Sequence, residues 1–204
     1  MEGQNKVDRV VAFSDEQYQD LGRALDLAEE VVSEYYRFSE AFWLEKGRYE
    51  VKTLVDLSPA EVTDRALAQI VKYEGPSRQG HRSRDFFRIC IQDHRLLSAR
   101  RSARLEMGTL MVYVLAHELV HVVRFARHDQ LFEAPASARA EEERRVHDLT
   151  GRLLKPLGLA GAEKVVKFAA PGEAGVVVDL ARRAIAGRGR AYRMEETVSA
   201  DLRI

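Results

Sequence analysis

The sequence predicts an α+β fold that is predominantly helical and carries a small β-sheet. Over long stretches, apolar residues recur every three or four positions with charged residues between them, which is the pattern of amphipathic helices. Two short stretches alternate apolar and polar residues instead, which indicates half-buried strands. A hydrophobic fraction of 46% and a charged fraction of 31% are those of an ordinary globular protein, so neither disorder nor a fibrous repeat is indicated.

The first predicted helix begins at Ser14 and continues to about Leu44, shortly before Gly47. Ser14 and Gln17 have the spacing of a capping box, in which each side chain binds the backbone N–H of the other residue. Apolar residues then repeat with helical period. We therefore interpret residues 1–47 as an N-terminal helical segment.

The next four segments are predicted to be a strand, a helix, a loop and a strand. Residues 48–55 alternate in polarity, which predicts a half-buried strand. Residues 58–75 begin Ser-Pro-Ala-Glu and end at Gly-Pro, which predicts a helix with proline in its first position. Residues 77–85 are polar and arginine-rich, as expected of an exposed loop. Residues 86–92 predict a second strand, which is either an edge strand or a core strand.

The rest of the chain is predicted to be helical. One helix is expected over residues 103–127 and another over residues 137–157, followed by two shorter helices on either side of Pro171. Residues 187–204 give no signal beyond their polarity and are interpreted as a C-terminal tail. A length of 204 residues fits a single domain spanning the whole chain.

Charge and cysteine content limit the possible functions. Thirty-two basic residues balance thirty-two acidic residues, which argues against a nucleic-acid-binding protein. The single cysteine, Cys90, permits neither an internal disulfide nor a thiolate zinc site. The N-terminus lacks the pattern of a secretory signal, and the longest apolar run, about residues 109–123, is too short to span a membrane. These features predict a cytoplasmic protein that does not bind a membrane.

Residues 117–121 read His-Glu-Leu-Val-His in the middle of that apolar run. On a helix, His117 and His121 share one face and can bind one metal ion, while Glu118 lies beside them and can take a proton from water. Burying these three groups without partners would be costly, and a zinc ion compensates them. The alternative is a chance pattern on a helix whose histidines are hydrogen-bonded core residues.

A catalytic zinc site normally has three protein ligands, so a third is expected downstream of His121. One known spacing requires a glycine and then a histidine shortly after the motif. It fails because Arg124 and Arg127 occupy those positions, and His128 comes one residue too late. Three consecutive glutamates begin the following predicted helix and are the candidates: Glu141, Glu142 and Glu143.

The inward face of that helix is predicted by its apolar period: Val146, Leu149, Leu153 and Leu157. Both Glu142 and Glu143 lie close to this face, so the period alone does not choose between them. Glu143 is preferred because it also stands four residues before His147, so one turn can present a ligand and a hydrogen-bond partner.

The His-Glu-x-x-His pattern resembles the zincin hydrolases, and the stretch from Glu143 to His147 resembles the E-x-x-A-D element of the gluzincin metallopeptidases. The resemblance covers about residues 108–157. It implies that Glu143 binds zinc and that His147 supports a metal-binding imidazole. The chain has His147 where the family has aspartate, and Val146 where the family has a smaller residue. Glu142 and His147 therefore stay open as alternative third ligands.

The resemblance implies a zincin-like fold around an active-site helix, with an edge strand along the substrate cleft. It further implies a zinc-dependent metallopeptidase that cleaves a peptide or protein substrate, with Glu118 as the general base. Four residues are of a type that can stabilise an oxyanion: Tyr113, His128, His147 and Tyr192. Two other interpretations stay open. One is a non-catalytic metal-binding module for regulation or partner binding, and the other is a helical structural protein with a chance motif. Oligomeric state does not follow from the sequence.

Overall fold

The computed structural model describes residues 11–73 and 85–171, which contain six α-helices and three β-strands. The helices are α1 Asp15–Tyr36, α2 Ala41–Glu45, α3 Asp93–Ala103, α4 Met107–Ala126, α5 Ala136–Leu154 and α6 Ala162–Phe168. The strands are β1 Tyr49–Lys52, β2 Ala68–Tyr73 and β3 Phe86–Ile91. The predicted α+β class is confirmed over these ranges. The predicted tail and the second short helix, after Pro171, lie outside the described residues.

The three strands form one sheet in the order β1-β3-β2. β1 runs parallel to β3 and β2 runs antiparallel to it, with Val51 and Ile70 both paired with Ile89. Phe87, Ile89 and Ile91 are fully buried, as expected where one face of a central strand packs on the core. The second predicted strand is therefore a core strand, and its alternative as an edge strand is wrong.

The prediction of a helix over residues 58–75 is wrong, because this stretch forms a turn followed by β2. The Glu61 carboxylate does accept hydrogen bonds from the N–H and hydroxyl of Ser58, at 2.9 and 2.6 Å, as at a helix start. The Glu61 carbonyl, however, accepts the side-chain amides of Gln69 and Gln92, at 2.7 and 2.9 Å. A continued helix would need that carbonyl for a backbone N–H, so tertiary contacts end it after one turn.

Two residues in the left-handed conformation set helix ends that the sequence pattern does not reveal. Arg37, with φ of 55°, ends α1, so the helix predicted to reach Leu44 is divided into α1 and α2. Arg104, with φ of 50°, ends α3. Helix α3 itself was not predicted from the sequence. The helix predicted over residues 103–127 accordingly begins at Met107, as α4.

Helix α4 lies at the centre of the hydrophobic core, where α1, α3, α5, α6 and the sheet pack around it. Length and hydropathy alone would allow α4 to cross a membrane, but nearly all of it is covered by the rest of the chain. A core helix passes the same test, so this is weak evidence for a membrane span. Helix α1, from the predicted N-terminal helical segment, packs more extensively on α4 than any other helix does.

Candidate metal centre

Helices α4 and α5 bring the candidate residues together. Pairs across the two helices show that they run antiparallel: Tyr113 with His147, His117 with Glu143, and Arg124 with Glu142. The predicted inward face of α5 is confirmed, since Val146, Leu149 and Leu153 are buried, while Leu157 lies in the following 3-10 turn and is partly buried. The helical period of each chain segment therefore determines which polar groups meet at the α4–α5 contact.

Donor atoms of three side chains converge between α4 and α5. The Nε2 atoms of His117 and His121 are 3.2 Å apart. Nε2 of His117 lies 3.3 Å from one carboxylate oxygen of Glu143, and Nε2 of His121 lies 3.3 Å from the other. With metal–ligand distances of about 2.0–2.1 Å, the edge of a tetrahedral zinc site measures about 3.3–3.4 Å. The distance between the two Nε2 atoms is close to such an edge, and each of the three residues offers one donor atom within 4.8 Å of the others, so together they could hold a zinc ion. They are the only group of three or more such ligands found in the described ranges.

The charges of the centre are coupled. Burial raises the pKa of the Glu143 carboxyl, but the two imidazoles outweigh burial and hold this pKa well below its usual range. Burial also lowers the pKa of His117, which favours a neutral ring. An ionised carboxylate and a neutral imidazole are the protonation states in which these groups bind a metal. His121 differs from His117. Burial lowers the pKa of His121, but the Glu143 carboxylate outweighs burial, so the pKa of His121 is raised.

Glu118 is fully buried, and neither of its carboxylate oxygens has a hydrogen-bond partner among the described residues. Burial raises its pKa to about 8; His121 acts against this rise and Glu143 adds to it. A buried carboxylate without partners is destabilising unless something compensates it. A carboxyl group whose pKa lies close to neutral is also suited to accept and return a proton. Glu118 thus lies close enough to His121 and Glu143 to interact with their charges, and its carboxyl group is of a type that can exchange a proton.

The other two glutamates of the triplet point elsewhere. Glu142 is buried and binds the guanidinium groups of Arg124 and Arg145, so its carboxylate joins α5 to α4 instead of facing the histidines. Glu141 is exposed and pairs with Arg145 at 3.1 Å. Of the three, only Glu143 has its carboxylate among the donors.

Gln130 contacts the centre and was missed by the sequence analysis. Its Oε1 lies 3.4 Å from Nδ1 of His121. In that arrangement Nδ1–H donates to the amide, and the lone pair on Nε2 faces the other donors. Gln130 lies in the loop after α4, where neither helical period nor motif spacing gives a signal. Nothing in the sequence alone would have identified it.

His147 is close to the centre but is not one of the three donors. Its Nδ1 lies 2.7 Å from the hydroxyl of Tyr113. It shows no hydrogen bond to His117 or His121 in the described part of the chain. Burial lowers the pKa of His147, and Asp148 opposes this weakly. Among the described residues the structure shows no direct contact by which His147 supports a ligand imidazole; its partner Tyr113 has its ring centroid 5.9 Å from that of His117.

No protein-family model, no curated protein and no solved structure matches this chain. Functional assignment therefore depends on the motif and on the geometry of its side chains.

Proposed function

We propose that this chain is a zinc-dependent hydrolase of the gluzincin type that cleaves peptide bonds in a peptide or protein substrate in the cytoplasm. The main support is the convergence of His117, His121 and Glu143: the two Nε2 atoms lie 3.2 Å apart, and each lies 3.3 Å from a different oxygen of the Glu143 carboxylate. Close to them is the buried carboxylate of Glu118, which has no hydrogen-bond partner among the described residues. Three protein ligands and a neighbouring carboxylate are the composition of a catalytic zinc site.

In this proposal each side chain has one role. His117, His121 and Glu143 would hold the zinc ion, which when bound lowers the pKa of a water molecule towards neutrality. Glu118 removes a proton from the attacking water while the water oxygen bonds to the carbonyl carbon. The C–N bond then breaks, and Glu118 passes the proton to the leaving amine nitrogen. Gln130 holds His121 in the tautomer that binds metal through Nε2.

A non-catalytic metal-binding module is the second candidate, and one observation favours it. His117 is 2% exposed, and Glu118 and His121 are not exposed at all. Structural zinc sites are closed to solvent in this way, but they normally use four protein ligands. The described residues supply only three, and Glu118 adds a carboxylate that a purely structural site does not need. The count of ligands favours catalysis.

The first experiment combines metal analysis with one substitution. We expect the purified chain to contain one zinc ion, and Glu118→Gln to retain it while hydrolysis of fluorescently labelled casein falls at least about a hundredfold. Glu141→Gln, which makes the same change on an exposed side chain, is the control and should keep full activity. Undiminished hydrolysis in Glu118→Gln would contradict the assigned base. Bound zinc without hydrolysis in the parent chain would favour the non-catalytic module.

A further inference from the structure

Tyr113 and His147 form a hydrogen-bonded pair next to the candidate metal centre. Tyr113 precedes His117 by four residues on α4, and His147 follows Glu143 by four residues on α5. Because the two helices are antiparallel, this pair lies about one turn, or about 5.4 Å, from the pair formed by His117 and Glu143. The ring centroids of Tyr113 and His117 are 5.9 Å apart, so the two layers are in contact.

The direction of the hydrogen bond between them can be assigned. The Tyr113 hydroxyl lies 2.7 Å from Nδ1 of His147, and it has no other hydrogen-bond partner in the part of the chain that the structure describes. Tyr113 is 1% exposed, so its O–H would be left unsatisfied unless it donates to this nitrogen. A neutral imidazole that accepts through Nδ1 carries its hydrogen on Nε2. Tyr113 therefore fixes the tautomer of His147.

The remaining nitrogen of His147 is available for binding. No hydrogen bond of Nε2 is found within the described ranges, and this atom is not among the buried polar atoms that lack a partner. His147 is partly exposed, whereas His117 and His121 are buried. Its Nε2–H is thus a donor with a fixed tautomer that solvent or a substrate can reach. The other candidate donors are less suitable, since His128 is exposed beyond the end of α4 and Tyr192 lies outside the described residues.

We infer that His147 is a catalytic residue whose Nε2–H donates a hydrogen bond to the carbonyl oxygen of the scissile peptide bond, and that Tyr113 is the residue that positions it. This inference rests on the proposed peptide hydrolysis. When the water oxygen bonds to the carbonyl carbon, the π electrons of the C=O bond move to the oxygen, and they return when the C–N bond breaks. The hydrogen stays on Nε2 throughout, so His147 stabilises charge without exchanging a proton.

Steady-state hydrolysis of labelled casein by the zinc-loaded full chain tests the catalytic role. Loss of one such donor lowers kcat by about a hundredfold or more, so this is expected for His147→Ala, with KM changed less than about threefold and zinc content unchanged. His147→Gln keeps an N–H near the position of Nε2 and should recover about a tenth of parental kcat. Arg144→Ala, an exposed substitution on the same helix, is the control and should match the parent.

Nitrogen-15 NMR of the histidine rings tests the positioning role without depending on activity. In the zinc-loaded parent we expect the His147 signals of an Nε2–H tautomer, assigned by their absence from His147→Ala. Tyr113→Phe keeps the buried ring but removes the hydroxyl. It should shift His147 to a mixture of tautomers and lower kcat about tenfold, with zinc still bound.

The outcomes separate this inference from the proposed function. A parent chain that binds zinc but does not hydrolyse casein would overturn both. A parent that is active, with kcat unchanged in His147→Ala, would overturn the inference alone. An Nδ1–H tautomer in the parent, or a tautomer unaffected by Tyr113→Phe, would overturn the assigned role of Tyr113. The combination of lost kcat, retained zinc and a tautomer controlled by Tyr113 would support it.

Discussion

Residues that are neighbours in the sequence have different tasks at the start of α5. Glu141 faces solvent, Glu142 binds Arg124 and Glu143 meets the two histidines, although all three are glutamates within a single turn. Successive residues on a helix point about 100° apart, so one position decides between a surface ion pair, an interhelical ion pair and a place in the candidate metal centre. Position along the helix, and not residue type, distinguishes them.

Zinc titration of single variants tests this assignment. We expect Glu143→Ala to weaken zinc binding at least about tenfold, because it removes one of three donors. Glu141→Ala is the matched control and should bind like the parent chain, since its carboxylate is exposed. If Glu143→Ala bound zinc with parental affinity while Glu142→Ala or His147→Ala did not, the ligand assigned here would be wrong.

Gln130 provides a second test at the level of single residues. Partners that orient a metal-binding imidazole typically contribute about tenfold or more to metal affinity, so Gln130→Ala is expected to weaken zinc binding by about that factor. Gln130→Glu should restore binding, because a carboxylate also accepts the Nδ1–H of His121. Leu131→Ala changes an exposed neighbour in the same loop and serves as control. Equal affinities in all three variants would remove Gln130 from the site.

The sequence predicted those residues of the candidate site that are related by helical spacing. His117, Glu118 and His121 lie within one motif, and Glu143 is related to His147 by four residues on a helix. Helical period could not predict Gln130, because a loop residue reaches the site only through the path of the folded chain.

Individual elements show where local pattern competes with tertiary contacts. Helices α4 and α5 were predicted to within a few residues because each has a long apolar period. The helix prediction for residues 58–75 failed because the helix-start signal at Ser58 acts only locally, as the hydrogen bonds from Ser58 to Glu61 show. Side-chain amides from β2 and from the residue after β3 then take the carbonyl that a helix would need. Such contacts join residues distant in sequence, so a local pattern does not contain them.

The Glu61 carboxylate makes this turn sensitive to acid. Burial raises its pKa, but hydrogen bonds from Ser58 and Arg88 outweigh burial and lower the pKa to about 2, compared with 4.5 ordinarily. A lowered folded-state pKa stabilises the fold above pH 4.5, and this stabilisation is lost as the pH falls towards 2. We expect Glu61→Gln to reduce the free energy of unfolding by about 1–3 kcal/mol at pH 7, with a smaller difference at pH 3.

Urea denaturation of both chains at the two pH values measures this difference. Glu30→Gln, an exposed position on α1, is the control and should change stability little at either pH. A gap between the parent and Glu61→Gln that stays constant or widens at pH 3 would show that the Glu61 carboxylate does not stabilise the turn through its charge.

The described part of the molecule is arranged around α4, which carries two histidine imidazoles and a carboxylate through an apolar interior. Three buried ionisable groups on one central helix reduce stability unless they are compensated. A ligand that binds only the folded chain adds stability that grows with the logarithm of its free concentration relative to Kd. If the proposed metal centre binds zinc, we expect it to contribute to the same folding transition as the hydrophobic core.

Thermal unfolding tests this coupling. At a free zinc concentration about a hundred times Kd, binding adds about 2.7 kcal/mol, which for a chain of this size corresponds to a rise in Tm of roughly 5–10 °C over the chelated protein. The same scan with His117→Ala should show little response to zinc. Identical melting curves of the parent chain in zinc and in chelator would contradict a metal centre built into the core.

The division of the donors between two helices also has a consequence for biosynthesis. His121 and Glu143 are 22 residues apart, so at about 5–20 residues per second the ribosome delivers the third donor about 1–4 s after the second. During that interval the nascent chain displays the 20-residue apolar α4 without α5 to cover it. If the chain binds zinc as proposed, zinc met at this stage finds two imidazoles only, so we expect tight loading to follow the emergence of α5. Ribosome-bound chains stalled before and after α5 would reveal this order by their zinc content.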